Sequence, residues 1–213
     1  MIRLWCKKCR RETENETCEF CGSVTEKEIP YEVFWCNDCK IPVIKAANSI
    51  DKNICTLCNK NTTYLCSDLR PVFPEERLLL EIIVAEPFAY QDKSVWVSNN
   101  RYYIDGKAKR LTSSSYKKKS PRVIRELIEQ YSTQSDYLFF NQNIEAFIKA
   151  NRDRLNYLKD EAYAFIQSTA KEYSNERIVI SFSEGKDSTV TADLVARALS
   201  DPSLIHILGD TTL

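Results

Sequence analysis

Net charge is the first thing missing. Thirty Lys and Arg stand against thirty Asp and Glu in 213 residues, so the molecule as a whole gives no reason to expect nucleic acid or a membrane as partner. No apolar run approaches the roughly 18 residues of a membrane span. A basic-plus-apolar leader is missing too, because Met1-Ile2-Arg3-Leu4-Trp5 runs straight into a cysteine motif. The expectation is a soluble, cytoplasmic protein. Histidine is down to a single residue, His206. It lies inside an apolar run that reads as a strand, so it is core rather than catalytic. The 43% hydrophobic fraction supports a core and about one to three small domains.

What is there is cysteine, nine of them. Cys6-x-x-Cys9 and Cys18-x-x-Cys21 form one quartet, and Cys36-x-x-Cys39 and Cys55-x-x-Cys58 form another. A Cys-x-x-Cys turn aims two sulfurs at one point, and two such turns complete a tetrahedral thiolate site. Zinc is the expected ion, two per chain, although iron accepts the same four sulfurs. Pairing across the quartets is also compatible with the spacing. The missing secretion signal argues against disulfides, and four pairs in series argue against a redox thiol. The text repeats: Leu4-Trp5-Cys6-Lys7-Lys8-Cys9-Arg10 is echoed by Phe34-Trp35-Cys36-Asn37-Asp38-Cys39-Lys40. Each copy places an aromatic before its first cysteine, where it is expected to shield the metal. Gly22 follows Cys21, where a knuckle commonly needs a left-handed residue. Lys7, Lys8, Arg10 and Arg11 are placed to offset thiolate charge. Cys66 is left over and reads as a small buried hydrophobe.

Arg70-Pro71-Val72-Phe73-Pro74 reads as a linker and Glu75 to Val84 as a short helix. Ser94 to Ser98 and Arg101 to Ile104, joined by Asn99-Asn100, read as a hairpin. Asp105-Gly106 then turns into Lys107 to Leu111. Arg101, Lys107, Lys109, Arg110 and Lys117-Lys118-Lys119, interleaved with Tyr102, Tyr103 and Tyr116, suit either phosphate contact or a solvated basic face. Pro121 opens a helix through Gln130. A helical tract follows from about Gln142 to Tyr173, with Ile144, Phe147, Ile148, Leu155, Leu158, Ala162, Phe165 and Ile166 as its expected buried stripe.

Near the end, Arg177-Ile178-Val179-Ile180 reads as a strand and Ser181-Phe182-Ser183-Glu184-Gly185-Lys186-Asp187-Ser188 as the loop after it. A Walker A loop needs a glycine near position 180 and Ser or Thr directly after the lysine. Ile180 and Asp187 stand there, which excludes it. A helix from about Thr189 to Leu199 and a strand over Leu204 to Leu208 complete a βαβ pattern. Its loop would meet a phosphate at the helix's positive end.

Ser183 to Ser188 resembles the pyrophosphate loop, S-G-G-K-D-S, of ATP pyrophosphatases and sulfonucleotide reductases. Gly209-Asp210-Thr211-Thr212 is similar to the segment that these proteins carry after their second strand. With cysteine ribbons ahead of it, the chain resembles the phosphoadenosine phosphosulfate (PAPS) reductase family over about Asn143 to Thr212. The resemblance implies the start of a parallel, Rossmann-like α/β domain. It also implies an adenine nucleotide or sulfonucleotide held by Ser181, Ser183, Gly185, Lys186, Asp187, Ser188 and Asp210. Reduction of 3′-phosphoadenylyl sulfate by a thiol donor would follow. The other reading is ATP-dependent sulfur transfer to nucleic acid, with Mg²⁺ oriented by Asp187. A third is a regulatory protein that binds nucleotide without turnover. Glu184 departs from the motif by replacing a glycine. A domain of this kind has about five strands, and two are legible, so the expectation is the amino-terminal part of a longer product without a complete active site. The counterpart of the reductases' carboxyl-terminal cysteine is not legible either. Five segments are expected: ribbons over 1–25 and 26–66, a linker helix and β-hairpin module over 67–120, helices over 121–175, and an incomplete nucleotide-binding unit over 176–213. The ribbons and basic middle are expected to brace a neighbour or to dock protein or nucleic acid.

Overall fold

A computed structural model describes residues 4–9, 11–26, 30–112, 115, 119–132, 137–173, 180, 182, 183 and 185–200. The chain forms two compact units, Met1–Asn151 and Arg152–Leu213. All three sheets among the described residues are antiparallel.

Unit 1 begins with a two-stranded ribbon, β1 (Leu4–Cys6) and β2 (Arg11–Thr13). The second ribbon is a three-stranded sheet in the order β4 (Ile41–Ala46), β3 (Tyr31–Cys36), β5 (Thr63–Cys66). A four-stranded sheet follows, β6 (Arg70–Pro71), β7 (Val95–Ser98), β8 (Arg101–Ile104) and β9 (Lys107–Arg110), in that order. The expected linker is therefore partly a strand, since Arg70 and Pro71 pair with Val97 and Trp96. Helices α1 (Pro74–Val84), α2 (Pro121–Tyr131) and α3 (Leu138–Ala150) complete the unit.

Strand alternation explains how these layers stack. Val95 and Val97 of β7 and Tyr102 and Ile104 of β8 join Val72, Leu80 and Tyr90, the α1 side of the sheet. Trp96 and Tyr103, the intervening residues, join Val33, Trp35 and Cys66 of the second ribbon. The sheet is thus buried on both faces. Cys66 is the buried small hydrophobe the sequence suggests, its thiol pushed up by burial. At the end of α1, the buried Glu81 carboxylate accepts the amides of Phe88 (3.0 Å) and Tyr90 (2.8 Å), which folds the following loop back.

Asp105-Gly106 makes the β8–β9 turn, with φ of 47° and 78°. A Cβ on Gly106 would lie 2.4 Å from Nε1 of the buried Trp35. Gly106→Ala therefore combines left-handed strain with overpacking, and should lower the stability of unit 1 by about 2–4 kcal/mol. Urea melts followed by tryptophan fluorescence measure this. A loss well under 1 kcal/mol would mean that the ring yields freely.

The helical tract is not continuous. Asn151 (φ −111°, ψ 18°) ends α3, and α4 (Arg152–Ala170) begins unit 2. The break resets the helical phase, so the expected single stripe does not form. Ile144 and Phe147 pack in unit 1 and Ile166 in unit 2, whereas Ile148, Leu158 and Phe165 are exposed. In unit 2, α4 and α5 (Lys186–Leu199) share a core of Ile180, Ala192 and Val195 with Ile166, Phe182 and Leu199. Gln167 donates to the Ala198 carbonyl across it at 3.0 Å. The parallel strands expected over 177–180 and 204–208 fall, apart from Ile180, outside the described residues, as do His206 and Asp210.

Candidate metal centres and the loop before α5

Each expected quartet assembles. Sγ atoms of Cys6, Cys9, Cys18 and Cys21 lie within 4.8 Å of one another, as do those of Cys36, Cys39, Cys55 and Cys58. Pairing across quartets is thereby excluded. Particular separations are 3.5 Å for Cys6–Cys21, 3.5 Å for Cys36–Cys58 and 3.9 Å for Cys39–Cys55. A disulfide needs about 2.05 Å, and all nine cysteines are free. Four sulfurs about 2.3 Å from one ion sit about 3.8 Å apart, so the donor set and its spacing fit zinc.

One local rule builds all four knuckles. The first cysteine of every pair faces the residue five positions on: Cys6 with Arg11 and Cys36 with Ile41 in strand register. Cys18 and Cys55 instead donate their amides to the carbonyls of Ser23 and Lys60, both at 2.8 Å. The residue after the second cysteine takes a left-handed conformation at Gly22, Lys40 and Asn59. Its amide then returns to the carbonyl of the first cysteine, at 2.9, 2.9 and 3.0 Å. Amides of Cys9 and Cys39 also point at Cys6 and Cys36 Sγ, each at 3.4 Å, which favours the thiolate form.

Crowded sulfurs cannot all ionise without a cation. Cys9 is pushed up to about 12, first by its hydrogen bond with Cys21 and then by burial. Cys21 is drawn down to about 6, chiefly by the hydroxyl and amide of Ser23. In the second site burial leads in raising Cys39, while the Lys60 amide lowers Cys58. A bound divalent ion would replace the remaining protons.

The two sites differ in what covers them. Cys36 and Cys55 are sealed by Ile41, Val43 and Ala150, with Ala146 alongside, so α3 forms the lid of the second site. The expected shield, Trp35, points the other way, because neighbours on a strand face opposite sides; it lies in the core beneath the four-stranded sheet. Near the first site, Lys7 pairs with Glu26 at 2.7 Å. The Arg11 guanidinium lies 3.9 Å over the Phe20 ring. Arg10 lies outside the described residues.

Two asparagines, Asn143 on α3 and Asn151 at its C-cap, hold the lid, and neither carried any signal in the sequence. Asn151 is buried. Its Oδ1 accepts the Ile44 amide at 2.6 Å, and its Nδ2 donates to the carbonyls of Pro42 (3.1 Å) and Phe147 (2.8 Å). The side-chain amide thus caps the outer edge of β4, where Pro42 offers no N–H of its own. Asn143 Nδ2 donates to the Lys40 carbonyl at 3.0 Å, and its Oδ1 accepts from Ser94 Oγ at 2.9 Å. Tilted packing of the Phe147 ring on Trp96, centroids 4.8 Å apart, fixes the third side.

In unit 2 the expected phosphate loop is only partly described, with Ser181 and Glu184 outside it. Helix α5 starts at Lys186, three residues earlier than the sequence suggests, so Lys186, Asp187 and Ser188 form its first turn. Gly185 caps it in extended conformation, and no side chain caps its amides. Ser183 donates its amide to Ser188 Oγ at 3.2 Å, and the two hydroxyls lie 3.3 Å apart. Ser188 Oγ donates to the Gly185 carbonyl at 2.9 Å. Lys186 and Asp187 face solvent and pair with each other at 2.8 Å, a contact of little energy at such exposure. No described helix is long and apolar enough to cross a membrane. No family model, curated protein or solved structure matches the chain.

Proposed function

We propose that this chain is a zinc-braced relative of the PAPS reductases that binds an adenine nucleotide or sulfonucleotide at the start of α5. One observation supports the reading above the others. The first turn of α5 has no side-chain cap, and it brings Ser183, Ser188 and Lys186 to the same helix end. The first three amides of such a helix lack intrahelical partners and suit an anionic ligand. In this reading the amides and two hydroxyls surround the phosphate oxygens, and the Lys186 ammonium leaves Asp187 to neutralise them. The ribbons serve as structure. Reduction of phosphoadenylyl sulfate to sulfite, with thiols oxidised in exchange, is the activity the resemblance implies.

Calorimetric titration of the whole chain with phosphoadenylyl sulfate, adenosine bisphosphate and ATP, with and without Mg²⁺, tests this. Binding of the first two without Mg²⁺ is the expected result. Lys186→Ala should weaken it by about 1.5–3 kcal/mol through loss of a charge-assisted contact. The exposed Asp187 carboxylate favours a second reading, an ATP-dependent sulfur transferase. There Asp187→Asn would abolish a Mg²⁺-dependent ATP interaction and leave the sulfonucleotide untouched. Failure of all three nucleotides to bind would overturn both readings.

A further inference from the structure

The two metal centres share one sulfur geometry and differ in what holds the knuckle. Cys18-Glu19-Phe20-Cys21 and Cys55-Thr56-Leu57-Cys58 occupy equivalent positions. In each, the outer sulfur of Cys21 or Cys58 is half-buried. It lies 3.5 Å from the buried sulfur of Cys6 or Cys36. The second knuckle is bolted to α3: Thr56 Oγ1 donates to the Ala150 carbonyl at 2.5 Å, beside the seal formed by Ala146 and Ala150. Its counterpart Glu19 accepts from Asn15 at 2.9 Å, within the same ribbon, and Thr17 bridges to Val24, also within it. Phe20 is 69% exposed under the Arg11 guanidinium and Val24 81% exposed, against 38% for Leu57. Two sulfurs 3.5 Å apart must close by about 1.5 Å to reach the roughly 2.05 Å of a bond. The first knuckle can make that movement by bending its own ribbon. The second must drag α3 with it.

We propose that the first zinc centre is a peroxide-responsive switch, in which Cys21 and Cys6 couple to a disulfide and the ion leaves. The half-buried Cys21 thiolate attacks an oxygen of hydrogen peroxide, becomes a sulfenic acid and expels hydroxide. The Cys6 thiolate then attacks Cys21 Sγ and expels a second hydroxide as the S–S bond forms. Two thiolates are oxidised and one peroxide is reduced. Cys9 and Cys18 remain as two ligands, too few to hold zinc in a tetrahedral site. The ion supplies the folding energy of so small a ribbon, so its loss unfolds β1 and β2 and leaves the second centre intact. Such a switch gives the first ribbon a task beyond bracing, requires zinc in both centres and uses no residue of unit 2.

Hydrogen peroxide added to the whole chain carrying two zinc ions, with a chromogenic chelator too weak to strip them by itself, tests it. One ion per chain should be released at least about tenfold faster than the other. Peptide mapping of the unreduced protein should then find Cys6 joined to Cys21. Dithiothreitol with added zinc should restore two ions. Cys6→Ser, which retains the second centre, should release nothing on the timescale of the parent's first ion. Release of both ions at one rate, or of the second before the first, overturns the proposal. So does a first ribbon that keeps its ion under peroxide, or one that loses it with Cys6 joined to Cys9 or with no disulfide formed. The mapping is made on the parent protein, so it decides even if the serine variant misfolds.

Discussion

Cys36→Ser is expected to remove one of two metal ions and to unfold most of unit 1 with it. Cys6→Ser should remove the other ion and disturb only the first ribbon. The asymmetry comes from what each cluster supports. A four-thiolate zinc site contributes on the order of 10–16 kcal/mol to the fold around it, comparable with or above the roughly 5–15 kcal/mol that holds a whole domain. In the second site that energy is shared with Ile41, Val43 and Ala150, and through β3 with Trp35 and Trp96. Metal analysis should read one ion per chain for either variant, against two for the parent. Near-UV circular dichroism, dominated by the buried tryptophans, should collapse for Cys36→Ser and persist for Cys6→Ser. Equal, mild losses in both would mean that the hydrophobic layers hold the second ribbon without its metal.

Asn151→Ala should cost about 2–4 kcal/mol, a large effect for one uncharged residue. It leaves the Ile44 amide and the Pro42 carbonyl without partners at a covered strand edge, at about 1–3 kcal/mol for each unsatisfied group. Asn151→Asp is no rescue, because a carboxylate has no hydrogen to give to Pro42 or Phe147. Denaturant melts of both variants give the energy. Faster zinc loss to a chelator from the second site alone would show that the lid has loosened. A stability change below 1 kcal/mol would mean that water substitutes for the amide.

The cysteines were legible because their chemistry is tied to spacing, and the structure assembles the same eight. Gly22 was legible as the left-handed residue after a knuckle. Lys40 and Asn59 adopt that conformation without a glycine to announce it, since the returning hydrogen bond and the metal site dictate the backbone there. Asn143 and Asn151 were invisible for a different reason. A polar residue on an amphipathic helix ordinarily faces water, and only the tertiary fold puts strand backbone in front of it. Trp35 was misplaced by the same blindness to context: adjacency to Cys36 in sequence means opposite faces on a strand. In the middle region the turn signals hold, since Asn99 and Asp105 take left-handed turns. The basic cluster there divides on folding. Lys109 pairs with Glu86 and Lys119 donates to the Ile82 carbonyl, while Arg101 and Arg110 stand opposite each other in the β8–β9 register. In the loop before α5, the hydroxyls of Ser183 and Ser188 lie 3.3 Å apart, and the helix claims Lys186 and Asp187 as its own first turn.

The lid of the second metal site also fixes an order of events at the ribosome. All four sulfurs of that site have been made once Cys58 is added, but the covering residues Ala146, Ala150 and Asn151 are about 90 positions later in the chain. At typical synthesis speeds of about 5–20 residues per second, the interval is roughly 5–20 s. The nascent ribbon can therefore take up its ion while still open, and the arrival of α3 closes the door behind it.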